Sequence, residues 1–412
     1  MSPLNSDVIV VGAGPAGSTA AKFLAERGHD VLILEKDRLP RNKACGGGVV
    51  RHALRFEYLR DFIEENHVGA CRAHRSYDAT LRYFVEYHTD EVLFYNVRRR
   101  DFDHRLVRFA MEAGAHLQED TMVTGVGLDD GGVRVRTRDS DLTARVVIGA
   151  GGVLDPVARY IRRSEGLPED MSDLSFVPVE EYPVDQSFID DVYPDYMSVF
   201  HHGFEGSVYG WVFPKRGLLN IGIWPRPGER TDVKAVLQGY IDHLAGEGMV
   251  PEATQVERPL GAPLPSAGPA EVSVSHRMVI CGDAARMVSP LTGEGIYYAM
   301  ESGRMAALTI DEALARGEPT AGRLAPYHEM WWSTFGEDLR AMQYYARQVA
   351  RYGTTLIRLA QKDRYLRGLF ANLFMGTVDA TGMRGRVLAR MAIDLPLDVI
   401  RALNPLKVLR RR

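Results

Sequence analysis

The chain has 412 residues, 45% of them hydrophobic and 25% charged, with a net charge of −4. That is enough apolar material for about two or three domains with sizeable cores, and the mild negative charge speaks against nucleic acid as a partner. The three cysteines make no disulfide framework and suit no metal site, and no apolar run reaches the roughly 18 residues of a spanning helix.

An apolar strand follows the first few residues, so no signal peptide is expected, and a reducing cytoplasm suits the cysteine usage. The strand is Val8-Ile-Val-Val11. A glycine turn follows, Gly12-Ala-Gly14-Pro-Ala16-Gly17, then a helix to about Arg27, then a second strand, Val31-Leu-Ile-Leu34, that ends on Glu35. With each part in register this reads as a dinucleotide-binding βαβ unit, the alternative being a βαβ unit with a glycine turn and no ligand. Gly12 allows the tight turn, Gly14 lets backbone approach a pyrophosphate, and Gly17 allows close helix–strand packing. The helix N-terminus faces the phosphates. Glu35 is placed to accept hydrogen bonds from a ribose, and a 2′-phosphate there would be repelled.

Lys36 opens a basic loop that turns glycine-rich at Ala44-Cys45-Gly46-Gly47-Gly48. Such a run costs chain entropy, and suits either backbone laid against something flat or a flexible surface loop. Residues 49–75 read as helical, with Leu54, Tyr58, Phe62 and Ile63 at helical spacing. Residues 78–95 alternate and read as one or two strands. A helix is expected from about Val97 to Ala113, with Arg98 to Arg100 a solvated charge run. Residues 116–149 read as short strands about a hairpin at Asp129-Asp-Gly-Gly132. They lead into the buried strand before Gly149-Ala-Gly151-Gly152, which is expected to rejoin the first sheet.

Residues 173–224 alternate apolar and polar side chains without helical period, the pattern of an antiparallel sheet. Tyr209, Trp211 and Phe213 fall on one face of one strand, and Pro214 is expected to end it. They read as core packing or as the wall of a greasy ligand site. A helix is expected over 231–247. Then Met278-Val-Ile-Cys281 delivers Gly282-Asp283 at a strand's carboxyl end, where open α/β sheets bind ligands. A loop through Pro290 and Gly293-Glu294-Gly295 starts a long helix at Ile296, whose positive dipole end faces the site. Residues 321–412 read as mostly helical. Between Gly382 and Arg412 there are eight Lys/Arg residues against two Asp. That end is either a helical cap with a solvated tail or a surface that lies on anionic lipid.

Taken together, Gly12/Gly14/Gly17 with Glu35 and Gly282-Asp283 resemble flavoproteins of the aromatic-hydroxylase fold. The Cys45-Gly-Gly-Gly48 loop, Tyr209-x-Trp211-x-Phe213-Pro214 and Pro290-Leu-Thr-Gly-Glu-Gly-Ile-Tyr-Tyr298 narrow the resemblance to the geranylgeranyl reductase family. It covers about residues 5–315. The fold it implies is α/β: a Rossmann-like FAD-binding domain of glutathione-reductase/aromatic-hydroxylase type, with an inserted antiparallel-sheet substrate domain and a C-terminal helical region. The expected boundaries are 1–77, 97–165 and 276–320 for the FAD domain, 78–96 and 166–275 for the substrate domain, and 321–412 for the helices.

That family reduces isolated C=C bonds of isoprenoid chains on lipids, diphosphates, chlorophyll or quinones, using FAD. The resemblance implies FAD contacts at Gly12, Gly14, Ala16, Gly17, Glu35, Lys36, Ala44, Cys45, Gly46, Gly47, Arg99, Gly282, Asp283, Gly293, Gly295 and Ile296. It implies a prenyl site at Gly48, Tyr209, Trp211, Phe213 and Pro290. Cys45, Tyr209 and Trp211 are the expected catalytic groups. The electron donor is open between NADPH and a ferredoxin-like protein. A cytoplasmic location is expected, with contact at the inner membrane face the alternative for the basic tail. One departure stands out: hydroxylase-fold proteins carry an aspartate that helps hold the pyrophosphate where this chain has Gly151. Rival readings on the same fold are an FAD-dependent monooxygenase, a halogenase-like enzyme, or an FAD-binding redox sensor.

Overall fold

The computed structural model describes residues 6–168, 171–227, 232–252 and 254–374. The basic stretch after Gly382 lies outside these residues.

The first strand, Ser6–Val11, has four fully apolar residues in a row (Val8 to Val11), which suits a strand covered on both faces. It pairs in parallel with Val31–Leu34 on one side and Asp141–Gly149 on the other. Met278–Ile280 adds beside Asp141–Gly149, and His116–Gln118 beside Val31–Leu34, both parallel. The hairpin Val123–Asp129 and Gly132–Thr137 extends this eight-stranded sheet from the side of Asp141–Gly149. The segment ending at Gly149 thus rejoins the first sheet as its pattern suggests.

Two helices cover one face, Pro15–Ala25 and Ile296–Ala315. They cross closely because Gly303 lets them: a Cβ there would lie 2.3 Å from the Ala16 carbonyl oxygen. Their apolar sides, with Ala321–Trp331 behind, form the largest core of the protein.

The second sheet has seven strands, running Leu260–Pro265, Leu174–Pro183, Leu218–Trp224, Tyr209–Lys215, Ser198–His202, Ala73–Tyr77 and Phe84–His88. Its pairings are antiparallel except between Ser198–His202 and Ala73–Tyr77, which is parallel. One face packs Val199, Val212, Ile221 and Ile223 against Leu237, Tyr240, Ile241 and Leu244 of the helix Val233–Gly246. Strand alternation sends Phe200, Tyr209, Trp211, Phe213 and Trp224 to the other face, where Ala44 meets them. That second face is the floor of the site.

Three readings of the sequence are corrected. Residues 49–75 are not one helix: only Glu57–Asn66 is α-helical, flanked by short strands. Gly48–Val50 and Gly69–Cys71 each pair with Phe94–Asn96 in a three-stranded sheet. Pro214 does not end its strand, which continues to Lys215 with Pro214 opposite Leu219. In the third, the α-helix Gln186–Val192 interrupts the alternating stretch 173–224.

Candidate functional site

Gly12 sits at φ +99°, and a Cβ there would lie 2.6 Å from the Ala150 carbonyl oxygen. A Cβ on Gly17 would meet the Gly12 carbonyl at 2.0 Å. Both glycines are therefore demanded by the packing of turn, helix and sheet. Gly14 is different: a Cβ there meets nothing within 4 Å. It borders open space at the start of a helix with no side-chain cap. An uncapped helix start with room in front is the cradle a pyrophosphate requires, and so the residues present fit FAD.

Glu35 is 3% exposed and serves the turn directly. Its Oε2 accepts from the Ala13 N–H at 2.8 Å, and its Oε1 from the Asp37 N–H at 3.1 Å. Lys36 pairs with Asp37 at the surface. Ala16 is buried, in van der Waals range of Gly282. A buried carboxylate lies beside Gly151. Asp155 caps the helix Pro156–Ser164 through the Ala158 N–H, and its Oδ2 accepts from the Gly151 N–H at 2.8 Å.

The cysteine–glycine loop lies on the aromatic face of the second sheet. A Cβ on Gly46 would be 2.7 Å from the Phe213 ring, and one on Gly48 3.1 Å from the Phe94 ring. Gly47 takes φ +77° and bonds to Val97 through its carbonyl. The Cys45 sulfur accepts from the Gly47 N–H at 3.3 Å, and the Arg99 guanidinium lies near it. Arg99 forms a two-pronged pair with Asp103, at 2.8 and 2.9 Å. Burial opposes its charge, but Asp103 and Cys45 outweigh that and raise its pKa.

Across the site, Gly282 at φ +60° donates to the Ser302 hydroxyl and turns the chain so that Asp283 follows. Tyr209 donates its hydroxyl to the Thr292 carbonyl at 2.6 Å. This ties the aromatic strand to the loop of Pro290, Gly293 and Gly295. Burial drives the Tyr209 phenol well above its ordinary pKa, so its ring face and not its proton is what the site offers. Pro290 is buried beside this tie, and the Ile296 side chain packs into the core around Val49 and Phe102. Ile296 can therefore meet a ligand only through backbone.

Four groups join the site that sequence reasoning passed over. Lys43 keeps an accessible surface although protein surrounds it, as a side chain standing in a cleft does. Burial pushes its ammonium down, while Asp283 and Cys45 pull it up and Arg99 and Arg41 oppose them. Asn220 and Lys215 lie behind the cysteine loop, both 1% exposed. Glu294 accepts from the Tyr297 N–H at 2.8 Å, so the long helix carries a carboxylate of its own at its N-terminus. Burial lifts that carboxyl to about 7. The sequence held one usable hint: an acid inside the Gly293–Gly295 turn, three before Tyr297, at capping distance.

A family model described as an FAD binding domain matches residues 5–190. A digeranylgeranylglycerophospholipid reductase of Methanosarcina acetivorans is 31% identical over 348 residues, which cover 81% of this chain and 82% of that protein. The chain belongs to the geranylgeranyl reductase family. A second relative, the digeranylgeranylglycerophospholipid reductase 2 of Methanococcoides burtonii, is 28% identical over 90% of this chain and 98% of its own. Among solved structures, a geranylgeranyl bacteriochlorophyll reductase-like protein from Thermoplasma acidophilum matches with TM-score 0.71 and 25% identity, over 84% of this chain and 87% of that one. The flavin-dependent halogenase CmlS shares the fold at TM-score 0.68 and 24% identity. The protein is accordingly an FAD-dependent oxidoreductase of geranylgeranyl reductase type.

Proposed function

We propose that this protein hydrogenates C=C bonds in the isoprenoid chains of a membrane phospholipid. The observation that carries the reading is the aromatic sheet face pressed against the Cys45 loop, in a chain whose named relatives act on digeranylgeranylglycerophospholipid. Residues 78–96 and 166–275 are assigned to substrate, and the nucleotide sheet with its helices to FAD.

FAD, once bound and reduced, would supply the hydride. An isolated trisubstituted alkene accepts hydride poorly unless it is protonated first, which demands an acid and a dry pocket. The faces of Tyr209 and Trp211 support positive charge developing on the chain. The Tyr209 hydroxyl donates to the Thr292 carbonyl and the Trp211 indole N–H to Asn220, which fixes both rings in place. Cys45, between the Gly47 amide and Arg99, is the candidate proton carrier. Glu35, Gly12 and Gly14 would hold the adenosine and pyrophosphate of FAD, and Asp283 its ribityl chain. Lys43 adds a cation to the same cleft. The donor that reduces the flavin is assigned to NADPH or a ferredoxin-like protein.

The test uses purified protein reduced with dithionite without oxygen, then given a geranylgeranyl phospholipid. Flavin reoxidation with a product two mass units heavier per reduced bond is expected. A reduced flavin that ignores prenyl chains but reacts at once with oxygen would replace the reading with a monooxygenase.

A further inference from the structure

Lys215 directly follows the aromatic strand's Pro214 and shares its face with Phe213, Trp211 and Tyr209. Its side chain is 1% exposed, yet it carries an ammonium. Nζ lies 2.5 Å from Glu181 Oε1, and Glu181 reaches the surface with 39% of its side chain exposed. The same Oε1 accepts from Asn220 Nδ2 at 3.2 Å. Asn220 Nδ2 also donates to the Cys45 carbonyl at 3.1 Å, and its Oδ1 accepts from Trp211 Nε1 at 2.9 Å. On the other side, Nζ stands 3.2 Å from where a Gly47 Cβ would be.

Burying the Lys215 ammonium costs desolvation that one partly exposed carboxylate repays only in part, and apolar side chains of similar volume often serve stability as well. Stability alone therefore gives weak reason for an ammonium here. Beyond one another, the side-chain hydrogen bonds of the pair and Asn220 go to one object, the Cys45–Gly47 loop and the indole beneath it. Gly46 and Gly47 have no side chains with which to hold themselves, and the loop's rigidity must come from outside.

We propose that Lys215, Glu181 and Asn220 are positioning residues that clamp the Cys45–Gly47 loop on the Trp211–Phe213 face and so fix how Cys45 meets the reacting edge of the flavin. The clamp works through Asn220 on the Cys45 carbonyl and through the ammonium packed under Gly47. Glu181 orients both. The proposal rests on Cys45 lying beside the cofactor, and its test reads that premise separately.

The measurement is the rate of Cys45 alkylation by iodoacetamide in the full-length protein; Cys71 and Cys281 are fully buried and stay silent. FAD is expected to protect Cys45 in the wild-type protein. No protection would overturn the premise and with it any catalytic meaning of the clamp. The double variant Lys215→Met/Glu181→Leu removes both charges and leaves no uncompensated ion. It is expected to melt near the wild-type temperature, to alkylate Cys45 several-fold faster, and to lose about tenfold in kcat with little change in KM for the prenyl lipid. Asn220→Leu cuts the direct link while keeping the ion pair and is expected to speed alkylation likewise. Variants that fold, yet alkylate Cys45 and turn over at wild-type rates, would reduce the pair to packing and sink the proposal.

Discussion

Asp155 occupies the space beside Gly151. A hydroxylase-fold protein puts a carboxylate at the place of Gly151; here one reaches the Gly151 N–H from Asp155, which is 1% exposed. A Cβ at residue 151 would lie 2.8 Å from Asp155 Oδ2, so the two acids exclude each other. Gly151→Asp alone is expected to cost about 1–3 kcal/mol by overpacking, with like charges adding to it, and to lower bound FAD per chain. Gly151→Asp/Asp155→Ser should recover most of both. A single variant with full flavin content and an unchanged melting temperature would refute the exclusion. Glu294 gives a second residue-scale prediction. Burial raises its carboxyl from an ordinary 4.5 to about 7, against backbone N–H groups of Tyr297, Gly295 and Ile296 that pull it down. A carboxyl raised in the folded state favours folding below its unfolded pKa, and that contribution is lost as pH climbs through the folded value. Glu294→Gln does not titrate. Its melting temperature should gain on the wild type steadily between about pH 5 and about pH 8. A difference that stays flat over that range would show that Glu294 does not titrate there.

At the scale of elements, packing between helices holds the cofactor turn in place. Gly303 sits where the helix Ile296–Ala315 crosses Pro15–Ala25, and its missing side chain leaves 2.3 Å between a would-be Cβ and the Ala16 carbonyl. Gly303→Ala should therefore push the first helix away from its sheet, at about 1–3 kcal/mol, and release FAD because the Gly12–Gly17 turn moves with it. Gly322, in the helix Ala321–Trp331, meets nothing within 4 Å. Gly322→Ala should be neutral or stabilise by up to about 1 kcal/mol. Melting curves with flavin release followed by fluorescence compare the two. The same elements show what was legible in the sequence. The βαβ turn was, because its glycines and Glu35 act within one short stretch. The aromatic face was, because alternation alone decides it. The pairing of Gly48–Val50 and Gly69–Cys71 with Phe94–Asn96 was not: three-residue strands carry no period, and their partner lies well over twenty residues away. Lys215 and Asn220 were illegible for a related reason. Their meaning comes from Glu181 and Cys45, brought together only by the register of the second sheet. The long helix, whose positive end is expected to face the site, carries the Glu294 carboxylate at that same N-terminus.

The whole molecule must reach a chain that lives in a bilayer. Each CH2 taken from water into an apolar site gains about 0.8 kcal/mol, but a prenyl tail leaving lipid gains almost nothing of that. A phospholipid substrate of the proposed kind would therefore be met at the membrane surface; among the described residues no helix is long and apolar enough to cross a membrane. Charge is divided in a way that suits surface contact. Residues 382–412 carry eight Lys/Arg and two Asp, a net +6, and the remaining chain carries −10. An anionic bilayer would attract the first at about 1 kcal/mol per basic residue close to it and repel the second. The full chain is expected to sediment with vesicles containing about 30% anionic lipid and to be released as salt approaches about 0.5 M, where screening is short-ranged. Deleting residues 382–412 should abolish sedimentation and slow reduction of vesicle-embedded substrate by about tenfold or more, while turnover of the same lipid in detergent stays close to wild type. The detergent control separates the two roles open to this segment. A cap on the fold would cost activity in both media, and a deletion that sediments as the full chain does would end the membrane reading.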